Sequence, residues 1–228
     1  MTQKTEFFII DFDRTLADSD KLLEAFIEVT TEYIAIPREQ IEAANRDVRQ
    51  RGDSFDTAGY VRDHLNEMDR GEEWDTLEKE FIHRLRARLP ELLLAGASEL
   101  LEWLRARGSS YGILTYGNPL WQHMKLSATG FNHEQRIVME HKHKGRLISS
   151  WQQSDGSFVL PQEFGGGVAD AIVMLDDKAV SFEDFPAVPS RGYWICDPMH
   201  ELPSQRGTVP ANVQRCNTLS DALATLRH

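Results

Sequence analysis

Carboxylates stand in pairs behind two apolar runs of this 228-residue chain. Asp11 and Asp13 follow Phe7-Phe8-Ile9-Ile10, and Asp176 and Asp177 follow the run at 171–175. A third run, Ile113-Leu114, ends in Thr115-Tyr116-Gly117-Asn118. Carboxylates a few ångströms apart raise one another's pKa and oppose folding. A hard divalent cation relieves that conflict. Magnesium takes oxygen ligands and commonly uses one or two protein carboxylates beside water and a substrate phosphate. A single Asp behind a strand is ordinarily a turn or a helix cap. Four acids in two pairs, each behind a buried run, point instead to one metal-dependent site. Asp18 and Asp20 separate from the first pair and begin the next segment, Asp20 near a helix start, where negative charge is favoured.

For the pairs to meet, their runs must be neighbouring strands. Phe7–Phe12 is apolar on both faces, as in a parallel sheet covered by helices on each side. Between about 20 and 89 the pattern is helical: Val61, Leu65 and Met68 recur at spacings of three and four, as do Trp74, Leu77, Phe81, Leu85 and Leu89. "RQRGDS" at 49–54 reads as a turn between helices, and Pro90 closes the block. Helix and strand then alternate: "ASELLEWLRARG", "YGILTYGN", "PLWQHMKLSATG", "RIVME", "RLISSW", "AIVML", "GYWIC", a weaker "NVQRC" and the terminal "LSDALATLR". The order predicts an α/β fold, a Rossmann-like doubly wound parallel sheet with an inserted α-helical block. Ligands of such sheets bind beyond the carboxyl ends of the strands, at the topological switch point. That is where the paired acids would stand.

Composition narrows the partners. The formal net charge is −11, which suits neither a nucleic-acid backbone nor an anionic membrane. A small anionic substrate requires local positive charge or a metal. Two cysteines, Cys196 and Cys216, suggest no disulfide framework. No apolar run has the length of a signal peptide or a membrane span. The expectation is the cytoplasm.

"DFDRTLADSD" resembles the first motif, Asp-x-Asp-x-Thr, of the haloacid dehalogenase superfamily of phosphatases. "ILTYGN" resembles its second motif and "VMLDD" its fourth, in the same order and at similar spacing. The resemblance implies that Asp11 is a nucleophile forming an aspartyl-phosphate, and that Asp13 protonates the leaving oxygen and then activates water. It implies Mg2+ held by Asp11, the Asp13 carbonyl and Asp176, with Asp177 holding waters or orienting a lysine. Thr15 would support the turn after the strand. Thr115 and neighbouring N–H groups of Tyr116, Gly117 and Asn118 would bond the phosphoryl oxygens. Arg14 stands where a small residue is common, and would narrow the site, bind substrate or face the helical block.

The third motif is a lysine that neutralises phosphate charge. Lys144 is favoured, because Lys-Gly before an apolar helix resembles the phosphoserine-phosphatase form; Lys142 is the alternative. Lys125 ranks third, since it lies inside a helix. The resemblance divides the chain into a core, 1–17 and 91–228, and a helical cap, 18–90. Arg46, Arg49 and Arg51 could meet a substrate anion, but a solvated helix face explains them as well. His141 and His143 read as strand-end residues, and Gly165-Gly166-Gly167 as a flexible loop without the features of a nucleotide-binding loop. The expected substrate is a small phosphorylated metabolite, with oligomeric state open. A phosphoryl-transfer mutase and a non-catalytic binding protein remain alternatives on this scaffold. Asp13 argues against a dehalogenase, which needs no second acid.

Overall fold

The computed structural model describes residues 5–50, 55–199 and 201–228. The turn expected at 49–54 and the side chains of Arg49 and Arg51 lie outside what is described. A six-stranded, wholly parallel sheet forms the centre. Strands β1 (Glu6–Ile10), β2 (Ser110–Tyr116) and β3 (Arg136–Met139) run outward in one direction. The chain then forms the two-residue strands β4 (Phe158–Val159) and β5 (Val168–Ala169), crosses to β6 (Ala171–Asp176) and continues through β7 (Arg191–Ile195) to β8 (Val213–Cys216). The sheet order is β3-β2-β1-β6-β7-β8, so the chain reverses direction between β1 and β6. Ile10 is in register with Leu175, which sets the next residues, Asp11 and Asp176, side by side.

The apolar run of β1 is buried on both faces. Phe8 and Ile10 join the core on one side, and Phe7 and Ile9 the core on the other. The first core is closed by α1 (Ser19–Ile34), α4 (Trp74–Arg86), α6 (Ala97–Ala106), α7 (Pro119–Ala128) and α9 (Leu219–Leu226). Helices α2 (Arg38–Gln50), α3 (Thr57–Glu67) and the short α5 (Leu89–Leu92) complete the inserted block. Pro90 falls in the first turn of α5, where its missing N–H costs nothing. The second core is covered by α8 (Lys144–Ser149) and the β4–β5 hairpin. Gly165, Gly166 and Gly167 all have left-handed backbone and make the turn into β5, so this loop serves a hairpin that had no readable pattern.

Two features fix the helical block to the rest. Its entry and exit run side by side: Ala17 pairs with Leu93, Asp18 N donates to Leu92 O at 2.8 Å and Leu94 N to Leu16 O at 2.9 Å. Beyond them, Phe26 of α1 and Phe81 of α4 close on Trp121 of α7, with ring centroids 4.9 and 5.8 Å away. Arg46 is exposed on α2, as a solvated face requires. Cys196 and Cys216 are free and belong to opposite faces of the sheet.

Candidate active site

The site forms where the sheet reverses direction. Asp11 continues the ladder of β1, its N–H donating to Leu175 O at 2.9 Å. Asp176 ends β6, and Asp177 follows it. Carboxylate oxygens of Asp11, Asp176 and Asp177 lie within 4.8 Å of one another, and all three residues are buried. The backbone, not side-chain flexibility, brings them together.

Lys144 enters this cluster from the first position of α8. Its ammonium donates to Asp11 Oδ1 and, at 2.6 Å, to Asp176 Oδ2. Gly145 makes that approach possible. A Cβ there would come within 2.4 Å of Glu183 O and 2.9 Å of Phe185 N. Lys142 instead lies over the Tyr116 ring at 5.7 Å. His143 Nδ1 lies 2.7 Å from a Glu183 carboxylate oxygen, and His141 is exposed.

Burial pushes the Asp11 carboxyl up to about 7; Lys144 opposes this and Asp176 and Asp177 add to it. Burial disfavours the Lys144 charge too, but Asp11 and Asp176 outweigh it and raise its pKa. The two directions conflict if Asp11 and Lys144 are taken as an isolated pair. The geometry resolves it: with two carboxylates in contact, Lys144 keeps its proton. Asp177 is pushed up to about 6, again first by burial. Its Oδ2 accepts from Gln205 Nε2 at 3.1 Å, while Oδ1 has no hydrogen bond and Lys178 Nζ stands 3.7 Å away. Asp176, not Asp177, is therefore the acid in contact with Lys144.

Asp13 does not join the cluster. β1 ends at Ile10, so the two-residue alternation of a strand does not carry through to position 13. Arg14 follows in left-handed backbone, φ 59°, and its N–H bonds Ala17 O at 2.8 Å. The Asp13 carboxylate turns to Ser19, Gln122 and Lys125 instead. Burial opposes its ionisation, but Lys125 and these hydrogen bonds outweigh it and hold Asp13 well below the usual carboxylate range. The sequence offers Lys125 only as the third candidate for the phosphate-binding lysine, whereas it lies on Asp13, and it does not single out Gln122 at all. Their one signal is position: Asn118, Gln122 and Lys125 recur at four and three along α7.

The remaining candidates take simpler positions. Thr15 Oγ1 donates to Asp11 Oδ2 at 3.3 Å. Thr115 is fully buried at the end of β2 and its hydroxyl has no partner. Gly117 N–H is committed to Met139 O at 3.2 Å, so this amide is not available for a phosphoryl oxygen. Asn118 caps α7, accepting from Leu120 N at 3.0 Å. Tyr116 O accepts from Gln122. Arg14 pairs with Asp20 at 2.7 Å, and Asp18 caps α1. Arg14, Thr15, Asp20 and Gln205 share the wall of a cleft of about 430 Å³ that runs toward the ends of β7 and β8.

The donor set fits a hard cation. Three buried carboxylates converge, and one oxygen, Asp177 Oδ1, lacks a hydrogen-bond partner of its own. Asp11, Asp176 and Asp177 are the side chains that could hold it.

Neither a family model nor a curated protein matches the sequence. Solved structures do. A chain described as a haloacid dehalogenase-like hydrolase from Burkholderia xenovorans LB400 is 18% identical, with 97% of this chain and 96% of that one covered and a TM-score of 0.65. The HAD-hydrolase YfnB of Bacillus subtilis, solved with magnesium, is 13% identical over 99% of this chain and 100% of its own, TM-score 0.57. A chain described as a β-phosphoglucomutase from Thermotoga maritima is 15% identical over 98% and 99%, TM-score 0.51. At such identities the likeness is one of fold. The chain has the haloacid dehalogenase-like hydrolase fold, on which more than one chemistry occurs. Among the described residues no helix is long and apolar enough to cross a membrane.

Proposed function

We propose that the protein is a magnesium-dependent phosphatase that hydrolyses a small-molecule phosphomonoester through an aspartyl-phosphate on Asp11. The observation that carries this reading is a pair of buried polar atoms without hydrogen bonds, at the ends of the two strands that flank β1. Thr115 Oγ1 makes no hydrogen bond, and neither does Asp177 Oδ1, whose nearest cation, Lys178 Nζ, stands off at 3.7 Å. Buried polar groups left in this state cost stability unless a ligand completes them. A phosphoryl oxygen suits the first and a cation the second.

In this reading an Asp11 oxygen attacks phosphorus, and the bond from phosphorus to the leaving oxygen breaks. That oxygen departs with its electron pair and takes a proton at Asp13. Water then bonds phosphorus, the bond to Asp11 breaks, a water proton passes to Asp13 and inorganic phosphate leaves. Lys144 neutralises phosphoryl charge and holds Asp11 in line. A magnesium ion, when bound, supplies charge compensation for the phosphoryl oxygens beside Asp11, Asp176 and Asp177. Asp13 is a carboxylate in this structure, so the proton it gives the leaving oxygen is the one it took from water in the preceding turnover. The 18–90 block acts as a cap that excludes water and selects the substrate, over a core of 1–17 and 91–228.

The test is a screen of phosphorylated metabolites with magnesium, read as kcat/KM, for the wild type and Asp11→Asn. One preferred monoester is expected. Asp11→Asn should lose on the order of 10⁴-fold or more in kcat while keeping its melting profile. Activity that survives this substitution, or thorough chelation, would overturn the reading. Transfer to a second hydroxyl instead of water would make the protein a mutase.

A further inference from the structure

The carboxylate of Asp13 is held from two sides. Ser19, the first residue of α1, donates to Oδ1 at 2.6 Å, and the Lys125 ammonium donates to the same oxygen. Gln122 Nε2 donates to Oδ2 at 2.7 Å and also to Tyr116 O at 2.8 Å. Gly117 leaves room for that amide: a Cβ there would lie 2.5 Å from Gln122 Nε2.

Lys125 is no solvated helix lysine. Its side chain is 5% exposed, and its ammonium lies 5.5 Å from the Trp121 ring centre and 5.8 Å from that of Phe12. A charge in such surroundings is costly unless paired and hydrogen-bonded, and Asp13 is the carboxylate it touches. Capping α7 requires neither residue, since Asn118 already does so. A buried cation on one carboxylate, with an amide on the other oxygen, fixes where that carboxylate points. Oδ1 has two donors and Oδ2 one, which leaves Oδ2 an acceptor position for water.

We propose that Lys125 and Gln122 are positioning residues for Asp13. They hold its free acceptor position where it takes the proton of the water that hydrolyses the phosphoryl-Asp11 intermediate. This rests on the phosphatase reading. In that step the water oxygen bonds phosphorus, the Asp11–phosphorus linkage breaks, the water proton goes to Asp13 and phosphate departs. Formation of the intermediate from an aryl phosphate, whose leaving group needs little protonation, depends far less on Asp13.

The full-length protein with magnesium and an aryl phosphate separates the two steps. Rapid quench follows formation of the phosphorylated protein, and a chase follows its decay. In Lys125→Met, decay slows about 10²-fold while formation stays within a few-fold of wild type. Lys125→Arg recovers part of the decay rate. Gln122→Leu, which leaves the ion pair in place, shows a smaller slowing of decay alone and decides the matter if Lys125→Met does not fold. Unchanged decay, or equal slowing of both steps, would overturn the proposal while an Asp11-dependent intermediate left the phosphatase reading standing. No Asp11-dependent intermediate in the wild type would overturn both.

Discussion

Two lysines are buried against the end of β1, and their surroundings differ in one respect. Lys144 touches two carboxylates, Asp11 and Asp176, and their attraction outweighs burial and raises its pKa. Lys125 touches one, Asp13, and there burial wins and lowers it. The difference teaches how a site with several acids stays folded. On one side a shared cation offsets carboxylates that crowd together; on the other a private cation fixes a carboxylate in one orientation. Charge balance and positioning are thus assigned to separate lysines.

The strongest way to break this comparison is to remove each lysine in turn. Lys144→Met leaves two buried acids facing one another, and turnover should fall about 10³-fold, as for the loss of an essential charge-stabilising donor. Its unfolding free energy should drop by about 3–5 kcal/mol at neutral pH. Lys125→Met strands one acid and should cost less in both measurements. Equal losses in denaturant titration and steady-state rates would show that the number of partners does not matter.

A smaller effect is expected from Gly145→Ala. The added Cβ meets the backbone of Glu183 and Phe185, so α8 must shift and carry Lys144 with it. A misplacement of about 1 Å can cost on the order of 10²-fold in rate. Activity near wild type in Gly145→Ala would mean that Lys144 tolerates more play than its contacts suggest.

The mildest test uses pH. Asp11 is raised from 3.8 to about 7 and Asp177 from 3.8 to about 6, in both cases first by burial. Between those limits the folded state binds more protons than the unfolded state, so stability falls as pH rises. Asp13 is shifted the other way; its contribution is present above 3.8 and lost as pH falls below it. In chelator, the melting temperature should therefore decline from about pH 5 to about pH 7, and magnesium should restore more of it at the higher pH. Equal stabilisation at both would count against these carboxylates as the cation site.

The sequence made one of these lysines far easier to find than the other. Lys144 precedes a glycine and an apolar helix start, and its position between two motifs limits the choice. Lys125 sits inside a helix, where lysines are ordinarily solvated, and only the stripe with Asn118 and Gln122 distinguishes it. The strands were readable because residues such as Phe7 through Ile10 are apolar on both faces. Strands β4 and β5, two residues each, are too short to show a period. Gln205 reaches Asp177 from the turn Pro203–Gln205, and no local pattern links that turn to the acid. Asp13 departed from the strand rule because β1 stops three residues before it.

The aromatic contact of Phe26 and Phe81 with Trp121 has a consequence for engineering. Trp121 lies on the same helix as Gln122 and Lys125, and Ser19 reaches Asp13 from the inserted block itself. The block is therefore not an exchangeable module. A helical insertion taken from another protein would need to bring matching rings for Trp121 and a hydroxyl at the position of Ser19. Without them a graft would also release the Asp13 carboxylate from one of its donors and loosen the helix that carries the other two.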